Sequence, residues 1–171
     1  MRVTFWVRAV VLGVCVGVLG STAASAETAS PGTTIQVDGH LQLAPGLDIF
    51  HVQATAAQPA GAAVTGNFTG TGEVRSGPVD IPIPLSLAGP VTCLNVQGST
   101  ASFLYTVDSA QPKFLGDLVE PRTSVLFTII NGAGGAPSRI GFFGPLPTAF
   151  FHGCGPIGTP FVFDGTADFT R

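Results

Sequence analysis

The stretch PVTCLNVQGSTASFLYTVD, residues 90–108, decides how the chain folds. Two β-type runs, 91–96 and 100–107, flank Gln97-Gly98-Ser99, a short glycine-containing connection of the kind that closes a hairpin. In the second run Ala101, Phe103, Tyr105 and Val107 share one face while Ser102, Thr106 and Asp108 take the other, the period of two of a half-buried strand. Leu104 alone breaks the alternation.

The same period recurs on both sides of this hairpin. Residues 33–43 set Ile35, Val37, Leu41 and Leu43, with Gly39, against Gln36, Asp38, His40 and Gln42. After Pro45-Gly46, residues 47–54 return with Phe50, Val52 and Ala54 on one side and Ile49, His51 and Gln53 on the other, predicting a first hairpin. Residues 56–63 carry Pro59 and Gly61 and read as a loop. In 65–74, Phe68, Gly70, Gly72 and Val74 share a face, and inward glycine predicts tight curvature or close approach of another element. Pro78, Pro82, Pro84 and Pro90 cannot donate to a ladder, so 76–90 reads as an edge strand or an extended surface strap.

Beyond the central hairpin, 109–122 is polar and reads as a lid or a single helical turn. The unbroken run 123–130 suits a strand covered on both faces, and 138–143 returns across a glycine-rich turn to make a third hairpin. Residues 144–160 form a proline-rich crossing, and 161–169 alternate again with Phe161, Phe163, Ala167 and Phe169 inward. These runs predict an all-β fold, an antiparallel β-barrel or barrel-like β-sandwich of about seven or eight strands with one disulfide. A barrel is favoured because the last strand offers the first a partner.

Residues 1–26 read as a secretory signal peptide: Arg2 and Arg8 precede the apolar run 9–19, and Ala24-Ser25-Ala26 is an A-x-A cleavage site. Residues 27–32 form a flexible lead-in and 33–171 one all-β domain. Removing 26 of 171 residues leaves 145, enough for a real core. Losing Arg2 and Arg8 from the seven cationic residues leaves five against ten carboxylates, a formal charge of −5. That balance excludes nucleic acid and anionic membrane surfaces as natural partners, and no later stretch is long and apolar enough for a membrane span. Cys15 departs with the signal, leaving Cys93 and Cys154 as an even pair in an oxidising compartment. A disulfide is the simple reading, with a catalytic thiol as its competitor.

The run Gly89-Pro-Val-Thr-Cys-Leu-Asn-Val-Gln-Gly98, followed by Cys154 in a Gly/Pro-rich setting and by a final β-type run, resembles uncharacterised small secreted β-proteins of high-GC Gram-positive bacteria. The likeness covers residue 91 to the C-terminus and implies export, a disulfide and an antiparallel β fold, with no activity attached. Where such sequences run through a polar, acidic turn, this chain has Asn131-Gly-Ala-Gly-Gly-Ala-Pro137, so a site on that turn does not carry over.

Catalytic signatures are missing: there is no G-x-S-x-G elbow and no H-E-x-x-H, and no cofactor is implied. The expected function is that of an exported, extracellular or cell-surface binding domain without enzymatic activity, taking a protein or cell-wall partner. The alternative is a carrier holding a small apolar ligand against Phe68, Phe103, Tyr105 and Phe163, with Gly70 and Gly72 leaving room. A third reading is a metal-dependent enzyme, because the first hairpin brings His40 and His51 together beside Asp38, and two imidazoles with a carboxylate can hold Zn²⁺.

Overall fold

The structure, a computed structural model, describes residues 32–113, 116 and 123–171. The signal peptide expected over 1–26, most of the lead-in and most of the 109–122 lid lie outside the described residues. Among the described residues nine strands follow in order: β1 (Thr33–Ala44), β2 (Leu47–Gln58), β3 (Thr65–Ser76), β4 (Val79–Gln97), β5 (Thr100–Thr106), β6 (Ser109–Gln111), β7 (Thr123–Ile130), β8 (Ser138–Pro147) and β9 (Phe161–Thr170).

Eight of them close an antiparallel ring in the order β1-β2-β3-β4-β5-β7-β8-β9, with β9 returning to β1; β6 pairs only with Ser86–Ala88 of β4. Apart from β5–β7, which passes over β6, and the closing β9–β1 pair, ring neighbours are consecutive strands, so the molecule is an up-and-down barrel and the sandwich alternative falls away. Closure rests on a long β1–β9 ladder and a β8–β9 ladder of only three pairs, Ser138–Phe163 to Ile140–Phe161. Asn131 Nδ2 extends that seam by donating to the Ala167 carbonyl at 2.6 Å.

The apolar faces turn inward. Val37, Val52, Phe68, Phe103, Tyr105, Phe127 and Ile140 are all buried, and Phe68 stacks on Tyr105 with ring centroids 3.9 Å apart. Burying one such side chain stabilises the fold by about 1.5–3 kcal/mol, which makes this aromatic stack the centre of the core. Inward glycines are where rings come close. A Cβ on Gly39 would lie 2.6 Å from the Phe163 ring, and one on Gly70 would lie 2.4 Å from that of Phe50. The space expected to stay free over Gly70 and Gly72 is therefore filled, by Phe50 and by Leu85.

A second, smaller core lies outside the barrel. The crossing between β8 and β9, which starts with a single 3-10 turn (Thr148–Phe150), passes over β5 and β7 and buries Leu104, Leu126 and Cys154 against Phe151 and Ile157. Leu104 breaks the alternation because its outward face has a cover. The Cys93–Cys154 disulfide, with Cα atoms 5.9 Å apart, pins the cover to β4. Thr128 Oγ1 accepts the Ile157 N–H at 3.0 Å, and Arg139 Nε donates to the Thr159 carbonyl at 2.8 Å.

Four stretches differ from the sequence reading, and the first is Ser109–Gln111, expected within a lid or a single helical turn, which pairs with β4 as β6. β2 runs on to Gln58 instead of giving way to a loop at 56, because small Ala54 and Ala56 continue the inward face opposite β1. β8 extends past 143 to Pro147, which pairs with Thr123. The proline-rich 79–85 segment is neither a separate edge strand nor a strap but the start of β4. Its ladder with β3 skips from Thr71–Ser86 to Glu73–Pro82, so the mismatch absorbs Pro84.

Candidate functional site

Two places in the barrel carry chemistry, one inside and one on the outer wall. The inner one is a cavity of about 260 Å³ lined by Leu41, Ile49, Phe50, Leu87, Tyr105, Phe142 and neighbours from β4, β7 and β8. It lies where β8 has run past the start of β9, so the wall between β1 and β8 is unpaired there. Phe142 lines the cavity, packs against Phe127 and Phe161, and is nonetheless 46% exposed, which marks the mouth.

Among the described lining residues Tyr105 alone has a polar side chain. Its hydroxyl is buried and has no hydrogen-bond partner, an arrangement that costs about 1–3 kcal/mol unless something fills it. Burial alone pushes the phenol well above its ordinary value of 10.0, so it stays protonated and able to donate. Of the four residues expected to line a ligand site, Tyr105 borders the cavity; Phe68, Phe103 and Phe163 are packed into the closed core.

The outer site is built on β1, β2 and β3. Strand alternation sends Asp38 and His40 outward from β1 and His51 outward from β2, and the register places His40 opposite His51. Their rings stack with centroids 4.6 Å apart. The expected set of Asp38, His40 and His51 does not converge on one point. His51 Nε2 donates to Asp38 Oδ1 at 2.8 Å, whereas His40 Nδ1 turns the other way and donates to Glu73 Oε1. The His51 bond, helped by Gln53 Nε2, holds the Asp38 carboxyl below the usual carboxylate value despite some opposing desolvation.

Periodicity misses Asp48 and misplaces Ile49. Strict alternation from Phe50 turns Asp48 inward and Ile49 outward. In the structure Ile49 has no partner in either ladder, a β-bulge that turns it into the cavity and leaves Asp48 facing Gln42 and Arg75. Arg75 Nε reaches Asp48 Oδ2 at 2.6 Å and Gln42 Nε2 reaches Oδ1 at 2.9 Å, which compensates a carboxylate that is only 4% exposed. The bond to Asp48 is also the main reason the Arg75 guanidinium is held more firmly protonated. Glu73 was legible as an outward residue of β3, but its meeting with His40 across β2 was not. One ligand atom each of His40, Asp48 and Glu73 lies within 4.8 Å of the others.

His152 is exposed on the crossing segment. Asp164 pairs in register with His40, and both it and Asp168 face solvent. Among the described residues no helix is long and apolar enough to cross a membrane. Comparison with protein-family models, with curated proteins and with solved structures finds no match to this chain.

Proposed function

We propose that the protein is an exported binding protein that carries a small apolar ligand in the mouth of its barrel. The observation that carries this reading is the pairing of an apolar cavity with one buried, unpartnered hydroxyl, that of Tyr105. Eight-stranded barrels are just wide enough to fill with side chains or to hold one small ligand. The cavity, about 260 Å³, exceeds the roughly 150 Å³ that holds benzene in an engineered core and falls below the usual range for drug-sized ligands. The ligand is therefore a compact, mostly hydrocarbon molecule with one oxygen for Tyr105. Binding is favoured over catalysis because the described lining residues supply one neutral polar side chain and no acid–base pair or nucleophile.

Export belongs to the same proposal. It is supported by the signal-like residues 1–26, by the likeness to secreted β-proteins around VTCLNV, and by a disulfide, which persists in oxidising compartments. The competing reading, a docking domain for a protein or wall component, draws on the exposed Phe143 and Phe150 beside the crossing segment. The cavity is the more specific feature.

The test is native mass spectrometry of the exported protein, followed by titration with 2-naphthol as a compact apolar alcohol. Tyr105 is the only tyrosine and the only tryptophan, Trp6, lies in the signal, so tyrosine emission reports directly on the cavity. Saturable quenching in the wild type, with a naphthol mass retained in the native spectrum and lost when Leu87→Trp fills the cavity, supports the carrier. Unsaturable quenching, or a naphthol mass still retained by Leu87→Trp, rejects it.

A further inference from the structure

We infer that the outer wall of β1–β3 holds a divalent transition-metal site with His40, Glu73 and Asp48 as its protein ligands. This goes beyond the proposed carrier function and uses none of the cavity residues. An imidazole nitrogen and two carboxylates form a borderline donor set that suits Zn²⁺ and its first-row neighbours, whereas thiolate-seeking ions have no ligand here.

Geometry supports it first. The three donors come from three adjacent strands, so the hydrogen-bonded sheet already fixes their backbones. A tetrahedral site with bonds near 2.0–2.1 Å sets its ligand atoms about 3.3 Å apart, and these atoms all lie within 4.8 Å of one another. Rotation of the Glu73 side chain, which has the longest reach of the three, draws the set together. His40 now donates from Nδ1 to Glu73. A neutral imidazole can carry its proton on Nε2 instead, which leaves the Nδ1 lone pair for the ion and the Glu73 oxygen for a second bond.

The surroundings are those of a supported metal site. Asp48 is oriented by Gln42 and Arg75, the kind of hydrogen bonding that fixes a ligating carboxylate. His40 and Glu73 are largely covered, their side chains 19% and 14% exposed, so an ion there keeps little water on the protein side. Asp38 acts on the histidine pair, and Asp164 acts on Arg75 together with Asp48 and Glu73. Against one guanidinium these four carboxylates leave an excess of negative groups, a field that attracts a cation. Glu73 also borders an open groove of about 520 Å³ lined by Thr71, Asp80 and Pro82, which leaves the ion's remaining coordination positions reachable from solvent.

The experiment strips the full exported protein with chelator, then titrates it with Co²⁺ and with Zn²⁺ while following visible d–d absorption and bound metal by elemental analysis. The expected result is one ion per chain with a tetrahedral or five-coordinate Co²⁺ spectrum. Glu73→Gln and His40→Gln, both partly exposed and confirmed folded by circular dichroism, should each weaken loading by more than about tenfold. His152→Gln, which removes an exposed histidine of the crossing segment, should leave loading within about twofold, whereas His51→Gln, which removes the ring stacked on His40, should weaken loading less than His40→Gln does. Failure to retain either ion overturns the proposal, as does loading that survives Glu73→Gln or that depends on His51 in place of His40. Loss of naphthol binding would bear only on the carrier reading, because the cavity and the metal site share no lining residue.

Discussion

The wall formed by β5 and β7 and the wall formed by β1–β3 obey the same inward rule and differ completely outside. On β5 and β7 nearly every residue is buried, because Leu104 and Leu126 face outward into a second core under the 148–160 crossing. On β1–β3 the outward positions include Asp38, His40, His51 and Glu73, polar side chains bonded in two pairs, His40 with Glu73 and His51 with Asp38. The same ladder thus supports two different surfaces. A strand's outer face becomes apolar where something is tied over it and polar where nothing is, and here the tie is covalent. Apolar side chains are buried on both faces of the covered wall, and titratable chemistry lies on the bare one.

That contrast can be broken by measurement, starting with the tie itself. Cys93→Ser combined with Cys154→Ser opens a loop of 61 residues and should cost about 4 kcal/mol in chemical denaturation, with proteolysis then beginning in the crossing. A loss under about 1 kcal/mol would mean that the crossing holds its place without the bond. Next, Leu126→Ala should cost about 2–3 kcal/mol, as in a genuine core, whereas Thr71→Ala on the polar wall should stay within about 0.5 kcal/mol. Equal costs for the two would erase the distinction between the walls.

Thr128→Val sharpens the comparison further. Thr128 Oγ1 accepts the Ile157 N–H and donates to Ser102, so the isosteric change leaves the crossing's backbone unpaired and should cost about 1–2 kcal/mol. The smallest effect belongs to the bare wall. Asp38→Asn should change stability at neutral pH by less than about 0.5 kcal/mol, because the pair with His51 is exposed and screened. Its sign with pH is nevertheless defined. A carboxyl held below 3.8 in the folded state contributes above 3.8 and loses that contribution as pH falls through the lowered value. Wild type should therefore show a slightly steeper acid limb than Asp38→Asn in denaturation followed by circular dichroism.

Much of this was legible in order along the chain, for physical reasons that can be named. The three hairpins, around Gly46, Gly98 and the 131–136 turn, follow from local alternation and turn residues, and all three form. Leu104 was readable only as an exception, since the segment that covers it lies some fifty residues away. The candidate ligand set was half readable. His40 and His51 meet because a hairpin makes them cross-strand partners. Asp48 reaches the same face only through the bulge at Ile49, and a bulge inserts one residue without leaving a mark on composition. Glu73 joins across an intervening strand, a proximity that depends on sheet order and twist.

Residue pattern alone determined that this chain makes antiparallel strands, which side chains of most strands face inward, and that Cys93 and Cys154 are available to each other. Those properties are set by neighbours two residues apart and by the chemistry of turns. Tertiary structure alone decided that the sheet closes into a ring, that Phe50 and Leu85 fill the room over the inward glycines, that a cavity opens beside Tyr105, and that His40 finds Glu73 instead of Asp38. Each of these depends on which strands lie side by side and in what register, and that choice is made by the whole barrel at once.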